Sequence, residues 1–174
     1  MPDYRIRQWE PAFGREEEKA VASVVASGWV TEHRLTREFE ARFAAFVGSR
    51  FCQATNNGTV AITLALMSLG IGPGDEVLVP DLTFVATANA VKLAGATPVL
   101  VDIRRDNNGM DPDAAARAIT PRTAALLPVH FNGRSADMAA VNALAQIERL
   151  EVHDTIERFF ERTKPRSPAP AVPR

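Results

Sequence analysis

The pattern of apolar and polar positions reads as helices alternating with short, wholly apolar strands. The clearest stretch is CQATNNGTVAITLALMSLGIGPGDEVLVPDLTF, residues 52–84. Val60, Ile62, Leu64, Leu66, Met67 and Leu69, with Ala61 and Ala65, leave almost no polar face, which predicts a helix packed on most sides. Asn56-Asn57-Gly58-Thr59 opens it, Asn as a cap and Gly as a residue that lets a ligand approach the backbone. Gly70 is placed to close it in the left-handed conformation, with Ile71 beside it. Gly72-Pro73-Gly74-Asp75 is a tight turn, and Val77-Leu78-Val79 a short buried strand.

Upstream, residues 1–14 read as extended, with Ile6, Trp9 and Phe13 as anchors. Glu16-Glu17-Glu18 begin a helix, where negative charge suits the dipole; Val21, Val24 and Val25 share a face, and Gly28 stops it. Leu35 to Val47 is amphipathic: Phe39, Phe43 and Phe46 form a stripe expected in the core, and Glu38 and Arg42 are spaced to pair outside.

Downstream, Pro80 to Phe84 links strand to a helix over Val85–Leu93 that ends at Gly95, and Thr97–Val101 is the next strand, followed by Asp102. After the loop RRDNNG, Asp111 as cap and Pro112 in the first turn start a helix through Ile119. Ala124–Val129 reads as a strand with His130 at its end. Ser135 is expected to cap a helix over 137–146, and Leu150-Glu151-Val152 forms a short strand. Helices alternating with buried strands indicate an α/β fold, a mainly parallel sheet covered on both faces, with no internal repeat. The end, HDTIERFFERTKPRSPAPAVPR, is Pro-rich and basic and cannot bury much; a short helix over 154–162 and disorder from Lys164 are expected.

The 174 residues suffice for one domain with a core. A net charge of −1 offers no basic field for nucleic acid. The single cysteine, Cys52, fits a reducing cytoplasm and reads as a packed structural thiol. MPDYRIRQWEP is charged and has no apolar core, so it does not read as a signal peptide, and no run is apolar enough for a membrane span.

The one local hint of chemistry is the Asn-Gly-Thr turn at a helix start. Free N–H groups and the positive dipole end suit an anion, most often phosphate, although the same residues serve as plain caps. A nicotinamide-binding Rossmann domain fares worse, because no Gly-x-Gly-x-x-Gly follows a strand.

NNGTVAITLALMSLGIGPGDEVLVPDLTFVATANAV resembles the signature of the DegT/DnrJ/EryC1/StrS family, pyridoxal-phosphate-dependent aminotransferases acting mostly on nucleotide-linked keto sugars. LTREFEARFAAFVG, the Ser27-Gly28-Trp29-Val30-Thr31 loop and FNGRSADM extend the likeness over residues 6–146. The resemblance implies the fold type I, aspartate-aminotransferase-like large domain, here incomplete. It divides the chain into an N-terminal arm and helix (1–34), a partial cofactor-binding domain (35–153) and a divergent tail (154–174). It implies pyridoxal 5'-phosphate as cofactor, with Gly58 and Thr59 at the phosphate and Phe84 stacking on the ring, a position where a core residue fits locally as well. Asp154 is the candidate partner for the pyridine nitrogen, although it stands one position early if Leu150–Val152 keeps the strand register; a solvated loop carboxylate is its other reading. Trp29 is either a substrate-side wall or packing. His130, at a strand's end, is read as a loop hydrogen-bonder, with a ligand contact as the alternative.

The chain departs from the family in two respects. Glu32-His33-Arg34 replace the Gly-Pro pair that follows the tryptophan loop. The family's Schiff-base lysine, in Ser-x-x-x-Lys, has no counterpart: Lys19, Lys92 and Lys164 fit no such motif, so no catalytic residue is carried over. No metal ligand is expected. The sequence reads as the front of such an enzyme, joined near residue 147 to an unrelated end. Two functions are expected in turn. One is transfer of an amino group, from glutamate, to a nucleotide-linked keto sugar for polysaccharide, lipopolysaccharide or secondary-metabolite synthesis, by a cytoplasmic homodimer. The other is a non-catalytic remnant or binding module of the same fold. An uncovered sheet edge and poor solubility are expected of the shortened chain.

Overall fold

The computed structural model describes residues 11–31, 34–148 and 150–152. Two helices come first, α1 (Arg15–Ala26) and α2 (Arg34–Val47). Helix α3 (Gly58–Ser68) leads into strand β1 (Glu76–Pro80), α4 (Ala86–Leu93) into β2 (Thr97–Val101), α5 (Pro112–Ala118) into β3 (Thr123–Leu126), and α6 (Met138–Glu148) into β4 (Glu151–Val152). The strands pair in the order β2-β1-β3-β4, every pair parallel. This is the fold type I sheet expected from the sequence, in part.

The alternation of β1 sorts the core. Val77 and Val79 face Leu66, Ile71, Val91, Ala94 and Ala96 from the α3–α4 side. Leu78 faces the opposite way, among Val101, Met110, Ala115, Val141 and Ala145 from α5 and α6. Both faces are therefore covered, and a strand buried on both faces has no polar alternation, which is why VLVP, after Glu76, reads as a continuous apolar run.

The two helices over the first face end alike. Gly70 and Gly95 take left-handed φ values of 79° and 89°. Ile71 and Ala96 each donate back to the carbonyl of the residue five before, Leu66 and Val91, while Gly70 and Gly95 donate to Met67 and Lys92. These are Schellman closures; the one at Gly95 leads almost at once into β2, and the one at Gly70 into the turn before β1. The turns also touch: a Cβ built on Gly95 would lie 3.1 Å from Cδ of Pro73.

At the start of β1, Glu76 is buried and accepts from the Thr120 hydroxyl at 2.5 Å and from Nε of Arg122 at 3.0 Å, with a further Arg122 contact through Nη2. The Thr120 hydroxyl, then Arg122, hold its carboxyl below the usual range. The helix-to-strand connection before β3 is thereby tied to the head of β1.

Several expectations change. The α2 stripe is not core: Phe39 and Phe46 are exposed, Phe46 to 88 %, and Phe43 is half-buried beside Phe39, while Glu40 and Ala44 are buried. The 3.6-residue period located α2 correctly but not the face that is covered. Helix α3 is covered on one side only, with Leu64 and Met67 exposed. Asp137, rather than Ser135, caps α6, accepting from the Ala140 amide at 3.1 Å; the Ser135 hydroxyl donates to the Ala136 carbonyl. Strand β3 stops at Leu126, although Leu127 and Pro128 remain buried. The Glu38–Arg42 pair forms, at 3.9 Å and exposed. Ile6, Trp9, Lys164 and the tail from 153 lie outside the described residues.

Candidate functional site

Parallel strands fed by short turns from antiparallel helices put all the helix starts at the edge where the strands end, the edge at which ligands bind in α/β sheets. Helices α3 and α4 lie side by side, with the Thr63 hydroxyl of α3 bonded to the Thr59 carbonyl at 2.9 Å and within 3.4 Å of the Ala90 carbonyl of α4. The start of α3 and the loop before α4 therefore share one end of the molecule.

Asn57 caps α3. Its side-chain oxygen accepts from the Val60 amide at 2.9 Å, and its carbonyl accepts the Ala61 amide at 3.1 Å. The amides of Gly58 and Thr59 precede any intrahelical acceptor. They have none among the described residues, and neither does the Thr59 hydroxyl. Gly58 is exposed, and a Cβ built on it would meet nothing within 4 Å. Two amides and a hydroxyl without acceptors among the described residues thus stand at the positive end of an eleven-residue helix, with open space beside Gly58 and Thr59 half-buried.

Phe84 sits in the connection from β1 to α4. That connection is fixed at its start, where the Asp81 amide donates to the Val101 carbonyl at 2.9 Å, and at its end, where the hydroxyls of Thr83 and Thr87 meet at 2.8 Å. Phe84 is 76 % exposed, so it is not a core residue of the described chain. An aromatic ring held bare on a fixed loop can take a planar partner.

The phosphate end and one ring face of a pyridoxal-type cofactor fit these residues. The nitrogen partner, Asp154, lies outside the described residues; β4 is paired through Val152, opposite Leu126. Of the two lysines in the described residues, Lys19 lies on α1 and Lys92 in the last turn of α4, at the far end of that helix from Phe84; both are exposed.

His130 accepts the Ala136 amide at Nδ1, 3.0 Å away, a loop hydrogen bond as read from the sequence. Trp29 is exposed. Cys52 is half-buried, and burial, then the nearby Glu40, push its thiol up and away from the reactive thiolate. Among the described residues, no group of histidine, cysteine and carboxylate side chains could hold a metal, and no helix is long and apolar enough to cross a membrane. The residue that sequence reasoning missed is Glu40, whose buried carboxyl binds the segment leading to Asn57. Its signal was faint: one of the two Glu in REFEAR, about a quarter turn round the helix from the phenylalanines.

Comparison with known proteins gives this scaffold relatives. The model of the DegT/DnrJ/EryC1/StrS aminotransferase family matches residues 11–155. Spore coat polysaccharide biosynthesis protein SpsC of Bacillus subtilis is 47% identical over 142 residues, 82% of this chain and 36% of SpsC. Among solved structures, S. venezuelae DesV is 45% identical with a TM-score of 0.74, over 79% of this chain and 37% of DesV. NtdA of Bacillus subtilis, solved with bound cofactor PMP, is 36% identical with a TM-score of 0.75, over 80% of this chain and 33% of NtdA. The chain therefore spans little more than a third of the length of the relatives it matches. With a family match across most of its length and a shared sheet, the chain belongs to the DegT/DnrJ/EryC1/StrS aminotransferase family.

Proposed function

We propose that these residues form the phosphate-side part of a pyridoxal-phosphate-dependent sugar aminotransferase, and that the chain by itself holds the cofactor without carrying out transamination. The observation that supports this reading is the start of α3: two amides and a hydroxyl without acceptors among the described residues, beside an exposed Gly58 at the strand-end edge.

In this reading the Gly58 and Thr59 amides and the Thr59 hydroxyl hold the phosphate, and Phe84 covers one face of the ring. Asp154 is retained as the proposed partner of the pyridine nitrogen, which a carboxylate there would keep protonated. When bound, the cofactor supplies an electron-accepting ring and a carbonyl that takes up and passes on an amino group. The chain's own residues fix the position of that group and leave one side of it open. In this reading the proton-moving lysine of such chemistry is neither Lys92, at the far end of α4, nor Lys19, on a helix with no buried residue. In this reading it comes from elsewhere, such as a companion chain.

The amino acceptor proposed for the complete activity is a nucleotide-linked keto sugar and the donor is glutamate, in a cytoplasmic homodimer. A role in polysaccharide synthesis is supported by the name of SpsC. A non-catalytic binding module is the second reading, favoured by the positions of Lys19 and Lys92.

The test is to titrate the purified chain with pyridoxal phosphate and with phosphate-free pyridoxal, reduce with borohydride, and then assay a half-reaction with glutamate. The expected result is phosphate-dependent, reversible binding with no pyridoxyl-lysine and no half-reaction. Equal affinity for the two ligands would remove the phosphate site, whereas a specific lysine adduct with turnover of glutamate would show independent catalysis.

A further inference from the structure

Two carboxyl groups are buried among the described residues, and they are used differently. Glu76 is held by Thr120 and Arg122 at the head of β1, on the edge away from the candidate site. Glu40, 6 % exposed, is held largely by backbone and amide donors from the segment just before α3. Its Oε1 accepts the Ala54 amide at 2.8 Å and Nε2 of Gln53 at 3.1 Å, and its Oε2 faces Nη1 of Arg37 at 3.4 Å. A carboxyl taken out of water needs such donors, and removing it strands them in turn.

The bonds continue from Ala54 to the cap. The Thr55 hydroxyl donates to the Asn57 carbonyl at 3.0 Å, and that carbonyl also takes the Ala61 amide. The Asn57 side chain takes the Val60 amide. The Val60 and Ala61 amides are thereby paired at Asn57, whereas the Gly58 and Thr59 amides have no acceptor among the described residues. Helix α2 thus fixes, through one side chain, where those two amides point.

On the reading that these amides hold a cofactor phosphate, we infer that Glu40 is a positioning residue: it anchors residues 53–54 so that the first turn of α3 is preorganised for the phosphate group. It touches neither phosphate nor ring. Glutamine can stand in, because its carbonyl oxygen accepts the same two donors, while the exposed Arg37 can turn to solvent.

The test uses the full chain, 15N-labelled, as wild type, Glu40→Ala, Glu40→Gln and Glu38→Ala, the last altering an exposed residue of the same helix. Amide exchange at Val60 is read without ligand. Shifts of the Gly58 and Thr59 amides are then followed on titration with pyridoxal phosphate and with pyridoxal. Glu40→Ala is expected to lose about tenfold or more in both Val60 protection and pyridoxal phosphate affinity. Glu40→Gln should stay within about threefold of wild type, and Glu38→Ala should match it. Affinity unchanged in Glu40→Ala would overturn the role of Glu40 alone. A wild type whose Gly58 and Thr59 amides ignore the phosphate would overturn the cofactor reading, and the positioning role with it. If Glu40→Ala fails to fold, Ala54→Pro removes the donor and keeps the carboxyl. It must weaken binding likewise, and unchanged affinity there also overturns the inference.

Discussion

Helix α2 and helix α4 carry comparable amphipathic patterns and end in opposite situations. In α4 the central apolar positions are covered: Ala90 and Val91 are fully buried beneath α3 and against β1, and Leu93 in the last turn is exposed. In α2 the stronger pattern, three phenylalanines in line, stands largely bare, and what is buried is a glutamate and an alanine. A stripe therefore announces that a face is meant to be covered. It does not say by what, and α4 finds its cover within the described residues because the strands on either side of it in sequence bring α3 alongside.

The largest test of this contrast is truncation on the two sides. Leu66→Ala, at a fully buried site in the sheet region, should cost about 2–5 kcal/mol in denaturant unfolding, whereas Phe46→Ala should change stability by less than about 0.5 kcal/mol. A large loss at Phe46 would show that its face is covered in solution, and sedimentation of the two variants would show whether self-association covers it.

Gly109→Ala probes the second face of the sheet. The added Cβ would lie 2.9 Å from both Cα and Cβ of Ala136, so backbone must move; a loss of about 1–3 kcal/mol is expected by thermal melting. A glycine of the exposed side, Gly58, has nothing within 4 Å, and Gly58→Ala should keep the melting temperature nearly unchanged.

A pH-dependent difference separates the regions further. The Glu76 carboxyl is held below its ordinary range, chiefly by Thr120 and then by Arg122. A lowered folded-state pKa contributes stability that is present above the unfolded value and is lost as pH falls through the folded one. Unfolding followed from neutral to acid pH should therefore show an acid limb that is shallower in Glu76→Gln. Identical acid limbs would mean that the contact is not held in solution.

The smallest effects concern caps. Asp111→Ala should cost about 1 kcal/mol and Asp137→Ala a similar amount, because each oxygen serves a first-turn amide. Ser135→Ala should fall near zero, since its hydroxyl reaches only the Ala136 carbonyl. Equal losses at Ser135 and Asp137 would restore the serine as the cap.

These pairs show what could be read from residues. The sheet was legible because each strand is announced by its own punctuation: Gly70 and Gly95 close the preceding helices, Asp111-Pro112 opens α5, and the apolar runs between are too short for helices. The start of α3 was legible for the same local reason, Asn57 capping and Gly58 leaving space. Glu40 was not, because its partners lie 13 and 14 residues on, and no spacing rule joins a helix to an irregular segment. The α2 stripe was misread because burial is a property of neighbours, and Ser135 because two acceptable capping residues stood two positions apart. Phe84 shows the same limit from the other side: an aromatic residue in a loop gives no sign of whether it is covered until the fold places it.

The contact between Gly95 and Pro73 has a consequence for how such chains diverge. Two turns that rest on each other cannot drift separately: a side chain at 95 would press on the ring at 73, and the left-handed backbone there strains any residue but glycine whatever the space. Inheritance should therefore treat the pair as one character, kept together or exchanged together, and a lineage that holds the proline beside a β-branched residue at 95 would have had to remake how α3 and α4 lie side by side.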